Sequence, residues 1–326
     1  TDMEELYAAT IQSIKRFFGT LNRKVVVGLS GGVDSAIMLA LLREAFPVST
    51  HKDMLLAVNM PTVNNSDTTK NLAKKQAEVL GVNYVVLPIQ SSYEEQVKSV
   101  EVALNDKLVG ITLENVQSRI RGNMLATISE HTGSVFTNNG NKTEVSMNYF
   151  TLYGDSAGVA SFLGDMWKGQ VYSLARYINT LHGKEVVLEG IINIIPSAEL
   201  SSDQNVEEGK GDPIHYDYHD YLLRSMVEWR WGIETILKKY IDGNLEQEIG
   251  CKSGLASKYF KSKREFVEDL EKCWRMVNLE FKRVQLPPVF LTSRRAYGFD
   301  RRDTLSPFEI SDTYIQLRDT FLSVND

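Results

Sequence analysis

The sequence predicts an α/β fold: a doubly wound parallel sheet with helices on both faces, followed by a helical C-terminal extension. Three observations carry this expectation. The short continuous apolar run "KVVVGLS" suits a strand buried on both faces of a parallel sheet, and "MLLAVNMP" reads as another strand. Each run alternates with a stretch of helical periodicity, as βαβ units require. A glycine-rich turn follows the first run, at the carboxyl end of a strand, where such sheets bind ligands.

The elements follow in order. Residues 3–18 carry Leu6, Ala9, Ile11, Ile14, Phe17 and Phe18 at helical spacing. "KVVVGLS" is the first strand, and residues 34–46 form a helix that stops at Pro47. "MLLAVNMP" is a strand, and "SDTTKNLAKKQAEVLG" is a helix with Ser66 as N-cap and Gly81 as its C-terminal stop. "VNYVVLPI" is a third strand, "LENVQSRIRGNMLATISEHTG" a long helix, and "SVFTNN" a fourth strand. Beyond residue 183 the texture changes. "PSAELSSDQNVEEGKGDPIHYDY" is polar and turn-rich, so a mobile loop is expected at about 200–216. Residues 217–283 read as helical, and the tail beyond is irregular. The expected organisation is one domain over 1–326, with a core at about 1–200 and an extension and tail at about 217–326.

Composition narrows the function classes. The 326 residues include 36 basic and 42 acidic side chains, a formal charge of −6. That balance gives no general attraction to nucleic acid or to an anionic membrane. No apolar run is long enough to span a bilayer. The N-terminal stretch is acidic and amphipathic, unlike a signal peptide, and the expected location is cytoplasmic. Cys251 and Cys273 form neither a metal pattern nor a disulfide framework and are expected to be free buried thiols.

The chemistry begins at "GLSGGVDS". Gly28, Gly31 and Gly32 let backbone approach an anion, and the helix start supplies unpaired N–H groups. Ser30 and Ser35 add hydroxyl donors. The loop lacks the lysine ending of a Walker motif. Asp34 puts a carboxylate into this cradle, which makes sense if a divalent cation bridges it to phosphates; magnesium takes such oxygen ligands. Read alone, Asp34 is equally an ordinary first-turn acid favoured by the helix dipole.

With these residues in hand, "SGGVDS" resembles the signature of the ATP pyrophosphatase (PP-loop) superfamily, whose members cleave ATP between the α and β phosphates. "ENVQSRIRGN", "NNGNKTEVSMNYFTLYGDSAG", "DMWKGQVYSLARYIN", "PSAEL" and "FKRVQLPP" are similar, in order and approximate spacing, to motifs of NAD synthetases. The likeness is to the synthetase domain of the glutamine-dependent branch, whose tail resembles "FKRVQLPP…RRAYGFDRRD".

The resemblance implies roles residue by residue. Gly28, Ser30, Gly31, Gly32, Asp34, Ser35, Asn139, Lys168 and Ser197 would surround ATP. Lys168 and Asp34 would be catalytic, with Lys168 supplying the cation that the loop lacks. Asn139 stands where many relatives have threonine. Asn115, Arg119, Glu144, Asp155 and Lys282 would contact deamido-NAD, and Glu144 would partner Asp34 as a magnesium ligand. Asn115 and Arg119 are four apart on one helix and share a face, whereas Arg121 points elsewhere and ranks lower. Leu152 and Val159 replace a lysine and an acid of the ammonia-only branch.

The implied reaction is amide synthesis. The nicotinate carboxylate of deamido-NAD attacks the α-phosphorus of ATP, pyrophosphate leaves, and ammonia displaces AMP from the adenylate to give NAD. The glutamine-dependent branch carries an N-terminal amidase domain for which this chain has no room. Free ammonia, a partner glutaminase, or a longer parent polypeptide are the open sources. The family also implies a homodimer, with the first helix and residues 111–131 as interface candidates. Two rival readings are another PP-loop enzyme, such as a tRNA thiolase or a GMP synthetase, and a nucleotide-binding module without turnover.

Overall fold

A computed structural model describes residues 2–47, 49–201, 204–279, 281–293 and 310–324. The motif at 294–303, "RRAYGFDRRD", lies outside the described residues, as do Ser202 and Asp203. In chain order the elements are α1 (Asp2–Leu21), β1 (Lys24–Gly28), α2 (Val33–Ala45), α3 (His51–Met54), β2 (Leu55–Asn59), α4 (Asp67–Leu80), β3 (Asn83–Val86), α5 (Gln90–Leu104), α6 (Ile111–Thr132), β4 (Ser134–Phe136), α7 (Lys142–Ser146), α8 (Lys168–His182) and α9 (Glu189–Asn193). The extension adds α10 (Tyr216–Val227), α11 (Ile233–Ile241), α12 (Leu245–Ile249), α13 (Leu255–Tyr259), α14 (Lys263–Asn278) and α15 (Asp312–Ser323).

The four expected strands form one parallel sheet in the order β3-β2-β1-β4. Alternate residues of β1 explain its unbroken apolar character. Val25 and Val27 of β1 join a core with residues of α1, α2, α4 and α8, while Val26 joins Val116, Ile120 and Leu125 of α6 on the opposite face. Both faces are therefore covered, and the α/β class holds. α2 is buried nearly all round, with Ile37, Met38, Leu39, Leu41 and Leu42 fully enclosed. Burying each such side chain is worth roughly 1.5–3 kcal/mol. This rigid helix fixes the turn at its own N-terminus. Strand order reverses between β1 and β4, which opens a crevice at their carboxyl ends.

The extension has its own apolar core, built on Tyr218, Leu222, Phe266 and Leu270. Val145, Met147 and Trp167, which flank the crevice, belong to that second core. A parallel bridge from Ser161 to Val289 also returns the tail segment toward the sheet. Three expectations change in detail. The apolar stripe of α1 is not available as an interface, because Leu6, Ile11, Ile14 and Phe18 are spent on the chain's own core. Cys273 is buried, but Cys251 is only partly so. The tail, read as irregular, ends in helix α15. No described helix is long and apolar enough to cross a membrane.

Candidate active site

The turn after β1 shapes itself. Gly31 takes φ +95°, open to glycine, and a Cβ there would come within 2.3 Å of the Thr69 carbonyl oxygen. The Ser35 hydroxyl donates to the Gly32 carbonyl at 3.0 Å and accepts from the Ser30 N–H at 3.2 Å. The Ser30 hydroxyl accepts from the Gly32 N–H at 3.2 Å. The loop therefore holds its form from within, at the N-terminus of a buried helix.

Opposite it stands the turn "NGNKTE". Asn141 caps α7 in a reciprocal box: its Oδ1 accepts from the Glu144 N–H at 3.1 Å, and its own N–H donates to Glu144 Oε2 at 3.3 Å. Its amide Nδ2 donates across the crevice to Asp34 Oδ1 at 2.9 Å. Lys168, first residue of α8, donates from Nζ to Asp34 Oδ2 at 2.5 Å and to Glu144 Oε1 at 3.2 Å. The ammonium also lies 5.0 Å from the Tyr216 ring centre. Two acids, one ammonium and one amide thus meet at the end of the glycine turn.

Charge here is unbalanced. Burial pushes the Glu144 carboxyl up to about 8; Lys168 opposes that rise, and the Asp34 charge adds to it. Burial pulls the Lys168 ammonium down, but Asp34 and Glu144 outweigh it and hold the group well above its ordinary value. Once Glu144 gives up its proton, one ammonium faces two carboxylates, and the cluster then has room electrostatically for a further cation. The carboxylate oxygens of Asp34 and Glu144 are hard donors, and the pair fits magnesium.

Of the residues expected at ATP, Gly28, Ser30, Gly31, Gly32, Asp34, Ser35, Asn139, Lys168 and Ser197 line one cleft, together with Glu144 and Asp155. Asn139 donates to the Gly28 carbonyl at 3.3 Å and accepts from Thr137 at 2.8 Å. Asn115, Arg119 and Lys282 do not line that cleft. They converge beside it on the segment 148–155. Asn115 accepts from Thr151 Oγ1 at 2.6 Å, and Arg119 donates to the Leu152 carbonyl at 3.2 Å. Lys282 donates to the carbonyls of Asn148, at 2.8 Å, and Phe150. Asp155 closes the group, accepting from Ser118 Oγ and the Thr151 N–H at 2.7 Å each.

The sequence model of the family described as NAD synthase matches residues 8–262. The chain belongs to the NAD synthase family. A glutamine-dependent NAD(+) synthetase of Xanthomonas campestris pv. campestris is 31% identical over 298 residues, covering 91% of this chain and 48% of that protein. Among solved structures, a glutamine-dependent NAD+ synthetase of Acinetobacter baumannii in complex with ADP has TM-score 0.57 at 26% identity, covering 94% of this chain and 51% of that one. A glutamine-dependent NAD(+) synthetase from Cytophaga hutchinsonii has TM-score 0.75 at 19% identity, covering 98% and 56%, and shares the fold. The chain thus spans about half the length of the curated relatives it matches.

Four features of this family member escaped the sequence reading. Asn141 holds both acids, and its signal was the capping-box spacing N-x-x-E in "NKTE". Arg121 was ranked below Arg119, yet it lines the cleft, donating to the Met60 carbonyl at 3.0 Å and to Asn65 Oδ1 at 3.2 Å. Arg119 is the exposed one of the pair. Asp212 accepts from Tyr149 and Tyr216 hydroxyls at 3.0 and 2.9 Å and lines the same cleft. Glu199 is buried against α4. No sequence periodicity marks the last two.

Proposed function

We propose that the chain forms NAD from deamido-NAD, ATP and ammonia, releasing AMP and pyrophosphate. The observation that carries this reading is the convergence of Asp34, Glu144 and Lys168 at the end of the self-braced glycine turn. The turn from Gly28 to Ser35 would receive the phosphates on backbone N–H groups and the Ser30 and Ser35 hydroxyls. Asp34 and Glu144 would hold magnesium, whose charge would offset that of the triphosphate. Lys168 would stabilise the negative charge that builds on departing pyrophosphate. Asn139 and Ser197 would line the nucleotide.

Asn115, Arg119, Asp155 and Lys282 would seat the dinucleotide along the 148–155 segment, with Glu144 between the two substrates. Adenylation makes the nicotinate carboxylate an acyl donor that ammonia attacks directly, so no covalent protein nucleophile is required. Alignment of the two substrates would supply much of the acceleration. Ammonia is taken free or from a glutaminase elsewhere in the polypeptide or in a partner. The chain would work as one unit, with a core at about 1–200, a loop at about 200–216 and an extension beyond. It would act in the cytoplasm as a homodimer. The exposed apolar corner of Val102, Leu104, Val109 and Ile111 supports such an interface.

The test is product analysis. Purified chain with ATP, magnesium, deamido-NAD and ammonium should yield NAD, AMP and pyrophosphate in equal amounts. Pyrophosphate release that ignores deamido-NAD would reject the substrate. ATP binding without any turnover would favour the regulatory rival.

A further inference from the structure

One wall of the cleft is the segment 194–200, and a buried acid secures it. Glu199 is 3% exposed and takes φ +47°, a conformation that costs energy for a residue with a side chain. Its Oε2 accepts from the Thr69 hydroxyl at 2.6 Å and from Asn65 Nδ2 at 3.4 Å. Its Oε1 accepts from the Ser66 N–H at 3.2 Å. Ser66 and Thr69 are the N-cap and the first turn of α4, where a carboxylate meets unpaired donors and a favourable dipole. The following residue is anchored as well, because the Leu200 carbonyl accepts from Asn64 at 2.9 Å and Gln117 at 2.8 Å.

The same helical turn touches the glycine loop. The Thr69 carbonyl oxygen is the atom that would lie 2.3 Å from a Cβ on Gly31. Thr69 therefore braces the loop through its backbone and holds the wall through its hydroxyl. A carboxylate near an anion site would repel the ligand, so its place there calls for a structural reason, and this linkage provides one.

The geometry points to Glu199 as a positioning residue that couples the 194–200 wall to the shape of the phosphate loop, acting through Thr69. This rests on the proposal that the loop binds ATP. The test uses the whole chain with magnesium and a non-hydrolysable ATP analogue, by calorimetry, beside steady-state kinetics. Glu199→Gln keeps the shape and removes the charge. Thr69→Val keeps the backbone brace and removes the hydroxyl; it carries the test alone if Glu199→Gln does not fold. Each variant should weaken analogue binding about tenfold, as for a lost hydrogen bond to a charged group. KM for ATP should rise while kcat and KM for the dinucleotide stay near wild type. Thr69→Ser should restore binding, and the double variant should bind no more weakly than the weaker single one, since both break the Glu199–Thr69 hydrogen bond that carries the coupling. Wild-type affinity in both variants, or additive losses shared equally by both substrates, would overturn the assignment. If wild type itself fails to bind the analogue, the ATP reading falls instead.

Discussion

Lys168 bonds to both Asp34 and Glu144, and Asn141 fixes where those two acids stand. Removing the ammonium with Lys168→Met should lower ATP-dependent turnover about 10²–10³-fold, the scale for losing one preorganised donor to developing charge. A coupled pyrophosphate assay measures it, and unchanged turnover would remove Lys168 from the reaction. Glu144 supplies a pH prediction. Its carboxyl is pushed up to about 8 by burial, with the Asp34 charge adding to the rise and Lys168 opposing it. Below that pH the cation-free site holds a proton there, and a bound cation must expel it. Magnesium binding should therefore release protons below about pH 8 and release few above it. Calorimetry in buffers of different ionisation enthalpy reads that number, and Glu144→Gln should abolish the release. Asp34, Glu144 and Lys168 were legible because each sits in a contiguous motif. Arg121, ranked below Arg119 on spacing, lines the cleft for a physical reason. Two residues along a helix do point apart, but the cleft lies on the side of Arg121, and only the fold decides which side that is.

At the level of elements, the phosphate turn depends on a left-handed glycine squeezed against α4. Gly31→Ala should cost about 1–3 kcal/mol from strained backbone alone. Displacement of the Thr69 carbonyl would add to that cost. Denaturant titration gives the stability change, and analogue binding should weaken with it; a stable variant with normal affinity would contradict the geometry. The strands were legible as short apolar runs between helical stretches, and all four form one parallel sheet, although only β1 and β2 are deeply buried. The caps of α4 were equally legible: Ser66 accepts from the Thr69 N–H, and Gly81 is left-handed at φ 65°. Helix α5 was not foreseen. None of its residues is fully buried, so its apolar stripe is thin. Helix α15 hid in a polar tail and is secured by the burial of Tyr314 against α11 and α14.

Across the whole molecule, the sheet core and the extension core approach each other at the turn that carries Glu144. Lys142, fully buried, donates at 2.8 Å to both Asp165 and Glu228, and at 3.1 Å to Ser293 Oγ of the tail. Asp165 in turn accepts from the N–H groups of Thr292 and Ser293 at 2.7 Å each. This network joins the sheet domain, the extension and the tail directly behind Asn141. Lys142→Met would leave buried Asp165 without its ammonium and partly buried Glu228 with Arg224 alone, and should cost about 3–5 kcal/mol, measured by calorimetric unfolding. A loss below 1 kcal/mol would show that the cores hold together without it. No sequence pattern announces such a network, because its members are up to 151 residues apart. The central claim is that Asp34 and Glu144 together clasp a divalent cation on the ATP phosphates. Electron paramagnetic resonance of manganese, titrated with ATP into wild type, Asp34→Asn and Glu144→Gln, tests it most directly. The account predicts one bound manganese–ATP per wild-type chain and its loss in either variant. Undiminished manganese–ATP binding in Asp34→Asn would contradict it.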